Sequence, residues 1–445
     1  MPKPARPRVL LTYSRSLMAL TAAQSLADHD IDVVGCDSVD MTVLQFSKHS
    51  KGHRLIADHR EDPEAFIEDL LEAVEHFRPK GAVPYVLMPM FEETSVIAEH
   101  AARFEGKIIL AIPDWASITQ VEPKDRLPAA AEAAGVAFPK TLAPKTREAV
   151  EAATRELAFP VITKPARGVG GRGIAKHDDA KALLAHIDEK PPKTENDWPL
   201  LQEAVPGRDF CFCALCEDGE VRAHMTYRSV HGFPPRSGAG VLRETVESAP
   251  FLKAAAPLLK HLKWNGVCEI DYRWTGEDDA PAQLIEVNPR YWAGLFQSVA
   301  SGVDFPWLLY RQAVGDPVTE PPRVTIGRKS KVPLLALLSA SQKIAEQEEY
   351  FQNLSGSWDA LRGRDEERGE RGRAAGALGG FVTSLFDVRA LGAYAKAFRE
   401  SREDHDEAAT DFIPLDDPGA MLGVLFVLSS LIRRGELPPE LKFDG

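Results

Sequence analysis

The chain has 445 residues, which at about 100–200 residues per domain predicts two to four domains and excludes a small stapled scaffold. Hydrophobic residues at 44% and charged residues at 27% are those of a folded protein, and the spread of 32 Gly and 33 Pro excludes collagen-like and wholly disordered chains. Lys and Arg number 53 against 66 Asp and Glu, and the net charge of −13 opposes nucleic-acid binding unless basic residues are focused locally.

Residues 8–13 are β-branched and apolar, Ser14-Arg15-Ser16 breaks the run, 17–27 read as a helix and 31–36 as a second apolar run. This is a βαβ unit. A helix over 64–77, a strand over 82–88, a helix over 93–103 and a strand over 107–112 extend it into an open parallel sheet ending near 118. The first turn carries no glycine, so the dinucleotide fingerprint is absent and NAD is not expected there. Ser14, Arg15, Glu92 and Glu93 remain at strand ends, where ligands of open α/β sheets sit.

A proline-punctuated stretch over 113–128 marks a boundary, followed by a helix over 129–134 and a strand over 159–164 that runs into a glycine-rich loop. Residues 191–197 read as a surface connection, and 200–203, 210–217 and 221–227 as strands, the last two joined at Asp218-Gly219. The Pro/Gly-rich stretch 231–240, with His231 and Arg236, reads as a loop placed to close over an acceptor. Beyond 315 the expected features are a mobile charged loop near 362–374 and apolar helices near 382–398 and 420–432. The stretch 419–432 is shorter than the ~18–20 residues a spanning helix needs. With five cysteines and no leader-like segment, the reading is a cytoplasmic protein without a transmembrane segment.

Two constellations carry chemistry. Lys164 ends a strand and precedes Gly168, Gly170, Gly171 and Gly173; backbone N–H groups there can cradle phosphate while the lysine neutralises it. The lysine precedes the glycines, so the loop is not a Walker A motif. Further on, 266–274 and 283–290 form a hairpin in which Glu286, Asn288 and Arg290 share a face, with Asp271 or Glu269 beside them. Carboxylate and amide oxygens without His suit Mg²⁺. Cys211 and Cys213 face one way on their strand and Cys216 the other, which argues against a zinc cluster.

The strand-end Lys164 with its glycine loop, the run Gln202-Glu203-Ala204-Val205-Pro206-Gly207-Arg208-Asp209, and Asp271 followed by Glu286-Val287-Asn288-Pro289-Arg290 together resemble the ATP-grasp superfamily. The resemblance covers roughly 120–310 and is strongest to carbamoyl-phosphate-synthase-like bacterial members. It implies an α/β pre-ATP-grasp domain with an open parallel sheet over 1–118, an α+β ATP-grasp domain over 119–318 split near 200, and a mostly helical C-terminal segment over 319–445.

By that resemblance Lys124 and Lys164 contact phosphate, with Lys164 also reaching the adenine side, and Arg167 to Gly173 cover the phosphates as a lid. Glu203 and Val205 read the adenine edge and Asp209 holds the ribose. Asp271, Glu286 and Asn288 hold Mg²⁺, or Mn²⁺ in its place, with Glu286 bridging two ions. Arg290 and Lys164 are the catalytic cations, and Ser14, Arg15, Glu92, His231 and Arg236 are substrate contacts. Some members have Arg where this chain has Glu269, so positive charge is expected from Arg290, Arg236 or Arg243 instead.

The implied function is an ATP- and Mg-dependent ligase that makes an acyl phosphate from a small carboxylate and passes the acyl group to an amine. The alternatives are a bicarbonate-phosphorylating, carbamoyl-phosphate-synthase-like enzyme and a nucleotide-sensing scaffold. A homo-oligomer is compatible with either.

Overall fold

The computed structural model describes residues 5–40, 42–167, 173–233, 239–277, 280–331, 408–410 and 417–420. The first sheet contains β1 (Arg8–Leu11), β2 (Asp32–Asp37), β3 (Ser50–Leu55), β4 (Tyr85–Met88) and β5 (Ile109–Leu110), all parallel, in the order β3-β2-β1-β4-β5. β1 and β4 are buried on both faces because helices cover both sides of the sheet, which is why they read as continuous apolar runs. The expected βαβ unit is present: the Ser16 hydroxyl accepts from the Ala19 N–H and starts the helix Leu17–Asp28. β3 is the strand the sequence reading lacks, since Ser-Lys-Gly-His-Arg-Leu at a sheet edge carries little apolar signal. Strand order reverses between β1 and β4, so the crevice at their carboxyl ends lies between Tyr13 and Met90.

The second sheet is antiparallel, β6 (Thr141–Leu142), β7 (Val161–Lys164), β8 (Ala175–His177) and β9 (Leu200–Glu203), in the order β6-β9-β7-β8. Helices Arg147–Ala153 and Ala180–Glu189, started by Thr146 and Asp179, bury Val150, Leu183 and Ile187 against Val161 and Leu201. Lys164, at the end of β7, reaches the third sheet through a hydrogen bond to the Ile285 carbonyl.

The third sheet joins β10 (Arg208–Glu217), β11 (Glu220–Phe233), β12 (Ala239–Val246), β13 (Gly266–Trp274), β14 (Gln283–Asn288), β15 (Lys329–Lys331) and β16 (Ala409–Thr410) in the order β14-β13-β10-β11-β12-β15-β16. Alternation along β10 sends Phe212 and Cys216 under the helix Ala249–His261, and Cys213 and Leu215 into a core shared with Val9, Leu11 and Trp292. The opposed cysteines therefore form no cluster. β11 and β12 extend through most of the expected loop over 231–240, so that stretch is a hairpin rather than an open loop; Arg236 and the remainder of its turn, 234–238, lie outside the described residues. The Asp218-Gly219 turn is as read, with φ of 50° and 79°. The features expected near 362–374, 382–398 and 421–432 also fall outside the described residues.

Candidate nucleotide and metal site

β13 and β14 pair Asp271 with Glu286 and Glu269 with Asn288, so the alternation seen in the sequence brings these four side chains to one face. A bulge leaves Ile285 without a register partner, since Tyr272 pairs with Leu284 and Asp271 with Glu286. The Lys164 ammonium donates to the Ile285 carbonyl at 3.3 Å, and this contact joins β7 of the second sheet to β14 of the third. Lys124 approaches from the preceding segment, its N–H bonded to Ala166 O at 3.0 Å and its Nζ 3.1 Å from Glu286 Oε1. Both lysines thus face the acidic hairpin.

Burial dominates the electrostatics. It lowers the Lys164 pKa to about 8, Lys124 pushes the same way, and Glu286 and Asp271 oppose them. Burial, reinforced by Glu269 and Glu286, pushes the Asp271 carboxyl well above its usual range, and burial raises Glu269 as well. Asp271 accepts from Cys211 Sγ and from Asn288 Nδ2, each at 3.3 Å, while Tyr227 OH donates to Glu269 at 2.8 Å. Three carboxylates crowded in a half-buried cleft, with an amide beside them, are a donor set for a hard divalent cation, whose charge would offset their repulsion. Cys211, Glu269 and Asp271 also offer three ligand atoms within 4.8 Å of one another, which the cysteine spacing alone does not reveal.

Arg290 is held by Asn288 Oδ1 at 3.0 Å and by Tyr291 O at 2.9 Å. Its guanidinium lies 4.5 Å from the centroid of Phe91, Phe91 stacks on Tyr13 at 4.9 Å, and Arg15 lies 5.0 Å from the Tyr13 ring on that column. The hairpin is therefore tied to the crevice of the first sheet. Glu122, which the sequence reading passed over, is half-buried within electrostatic reach of Arg290, Glu286 and Glu92 and accepts from Ser95 Oγ at 2.7 Å; burial raises its pKa. Its signal was its position two residues before Lys124.

Glu203 and Val205 line a cavity of about 360 Å³ with Phe138, Arg273, Trp274 and Gln283, although one Glu203 oxygen accepts from Ala158 N at 2.8 Å. Gly207 closes this corner: at φ 110° an added Cβ would meet the Trp274 carbonyl at 2.4 Å. Asp209 is largely exposed and pairs with Arg273 at 3.3 Å. Arg167 is exposed and Gly173 has φ 67°, while Gly168, Gly170 and Gly171 lie outside the described residues.

The residues of the first sheet expected to contact substrate each have partners within the protein. Ser14 is fully buried and donates to Cys36 O at 2.9 Å; Gly35, where a Cβ would meet its oxygen at 2.5 Å, allows that approach, so the hydroxyl is structural. Arg15 is committed to Asp37 and Ser38, and Glu92 to Arg60. His231 lies on β11.

Residues 197–332 match the family described as ATP-grasp in the biosynthetic pathway with Ter operon. The carbamoyl phosphate synthase large chain of Clostridium acetobutylicum is 23% identical over 237 residues, 51% of this chain and 21% of that protein, so this chain spans about a fifth of that relative. The biotin carboxylase domain of the 2-oxoglutarate carboxylase of Hydrogenobacter thermophilus, solved as a dimer with magnesium ADP and bicarbonate, superposes with a TM-score of 0.57 at 16% identity, covering 72% of this chain and 73% of that one. An L-amino acid ligase from Bacillus licheniformis gives 0.54 at 14% identity, covering 70% and 75%. The family match covers residues 197–332, and the two solved structures share the fold over about seven-tenths of the chain. Among the described residues no helix is long and apolar enough to cross a membrane.

Proposed function

We propose that the protein is an ATP-dependent ligase that phosphorylates a carboxylate and joins the resulting acyl group to an amine. The observation that carries this reading is the convergence of Lys124 and Lys164 on Glu286, with Asp271 and Asn288 alongside. Asp271, Glu286 and Asn288 would hold Mg²⁺, which when bound offsets the charge of the transferring phosphoryl group. Lys124 would then leave Glu286 for the phosphates, and Lys164 supplies a second, desolvated positive charge. The cavity beside Glu203 and Val205 would take the base, and Arg273 and Asp209 border the sugar side.

In the reaction so read, a carboxylate oxygen attacks the γ-phosphorus, the bond to the β-phosphate oxygen breaks, and ADP leaves. The amine nitrogen then attacks the acyl carbon and expels phosphate. Glu122, raised by burial and set beside Arg290, is suited to take the proton the nitrogen releases. Arg290 steadies the carboxylate. A bicarbonate-phosphorylating enzyme, with bicarbonate in the place of the carboxylate, is the second reading, and the Hydrogenobacter neighbour solved with that anion keeps it in view. The test is ADP release from Mg-ATP on addition of pooled carboxylates and amines, separately and together. Release needing both supports the ligase; release with bicarbonate alone supports the second reading.

A further inference from the structure

Cys211 places a thiol among the acids of the metal hairpin, and the function proposed above does not use it. It lies on β10 opposite Asp271 on β13, with its Sγ 3.3 Å from Asp271 Oδ1. Cys211 Sγ, one oxygen of Glu269 and one oxygen of Asp271 lie within 4.8 Å of one another. Cys211 and Asp271 are partly exposed on the cleft side of the sheet, so an ion can reach them, while Glu269 is 8% exposed and is fixed by Tyr227 OH at 2.8 Å. The other four cysteines are buried, which leaves Cys211 as the thiol within reach of an ion.

The geometry fits a tetrahedral ion. Zn²⁺ takes sulfur at about 2.3 Å and carboxylate oxygen at about 2.0 Å, which sets a ligand-to-ligand edge of about 3.5 Å, close to the 3.3 Å between Cys211 Sγ and Asp271 Oδ1. The two oxygens of Asp271 divide the hairpin, since Oδ1 meets the thiol and Oδ2 meets Asn288. One carboxylate can thus serve the oxygen-lined side proposed for Mg²⁺ and a second position that contains sulfur. Mg²⁺ takes oxygen ligands whereas Zn²⁺ accepts a thiolate, so the two positions differ in the ion they favour. Charge points the same way. Among the described residues Glu269 and Asp271 have no ion-pair partner, and Arg290, which acts on both, is bonded to Asn288 and Tyr291.

We propose that Cys211, Glu269 and Asp271 form a Zn²⁺ site beside the phosphate cleft, with a fourth tetrahedral position left for water or a phosphate oxygen. Binding breaks the Sγ–H bond, forms the bond from sulfur to zinc and releases the proton to solvent, with no change of oxidation state. Asp271 is shared with the magnesium position and Cys211 is not. The inference goes beyond the ligase reading, because it needs neither nucleotide nor turnover.

Zn²⁺ is spectroscopically silent, so the experiment titrates the reduced, metal-free full chain with Cd²⁺ alone, which shows an ultraviolet charge-transfer band when a thiolate binds it. A band that saturates at one Cd²⁺ per chain is expected; excess Zn²⁺ is expected to remove it and the same excess of Mg²⁺ to leave it. Cys211→Ser is expected to abolish the band and to weaken Zn²⁺ binding at least about tenfold. Glu269→Gln is expected to keep the band and to weaken Zn²⁺ binding. Absence of the band, its removal by Mg²⁺ as readily as by Zn²⁺, its persistence in folded C211S, or unchanged Zn²⁺ affinity in either folded variant overturns the proposal. The wild-type titration stands even if a variant fails to fold. Mg-ADP affinity is read separately, so a chain that binds Zn²⁺ and no nucleotide would count against the ligase reading alone.

Discussion

Lys124 Nζ lies 3.1 Å from Glu286 Oε1, and the lysine comes from the segment before the second sheet while the glutamate comes from β14, an edge strand of the third. The ion pair spans the cleft in which we place the phosphates. Glu286→Gln keeps the shape and removes the charge that Lys124 and a divalent ion both need. ADP formation is expected to fall at least about a hundredfold with the circular dichroism spectrum unchanged. Wild-type turnover by E286Q at saturating Mg²⁺ would remove Glu286 from the metal site.

Lys164 has a pKa lowered to about 8, so in the free protein it carries its charge below that pH and loses it above. A bound phosphate favours the charged form, and nucleotide binding above about pH 8 must therefore take up a proton. ATP affinity is expected to weaken as pH rises through 8, by up to about tenfold per pH unit, and Lys164→Arg is expected to flatten the profile because arginine stays charged. Calorimetry in buffers of different ionisation enthalpy reads the proton directly; no uptake at about pH 9 would contradict the assignment.

Phe91 stands between Arg290 and Tyr13, and Phe91→Leu keeps an apolar side chain while removing both ring contacts. A cation–π contact is worth about 0.5–2 kcal/mol, so kcat is expected to fall by roughly 2- to 30-fold while the KM for ATP holds. A change confined to the ATP KM would place the column on the nucleotide side.

Gly207→Ala tests the corner beside the base cavity. The left-handed backbone and the 2.4 Å approach to Trp274 O leave no room for a methyl group, and a loss of about 1–3 kcal/mol in unfolding free energy is expected, together with weaker ATP binding. Wild-type stability in a denaturant titration would show that the loop relaxes freely.

Strand periodicity made much of the frame legible. The runs at 8–13 and 31–36 announced the parallel sheet, and Glu-x-Asn-x-Arg on an alternating strand placed Glu286 and Asn288 on one face before any coordinates. What stayed hidden depended on contacts distant in the chain. Ser14 looked like a loop hydroxyl because nothing local tells that Gly35 opens a slot for it. Arg15 looked available because Asp37 is 22 residues away. The Ile285 bulge, which gives Lys164 its carbonyl, is a one-residue shift of register that composition does not carry.

The central claim is that a carboxylate oxygen attacks the γ-phosphate of ATP in this cleft. With the carboxylate returned by the ADP-release screen, enriched in ¹⁸O at both oxygens, mass spectrometry of the released phosphate tests it. The account predicts one ¹⁸O in each phosphate formed, in step with ADP and with amide product. Unlabelled phosphate at full turnover would contradict it, since the carboxylate would then never have been phosphorylated.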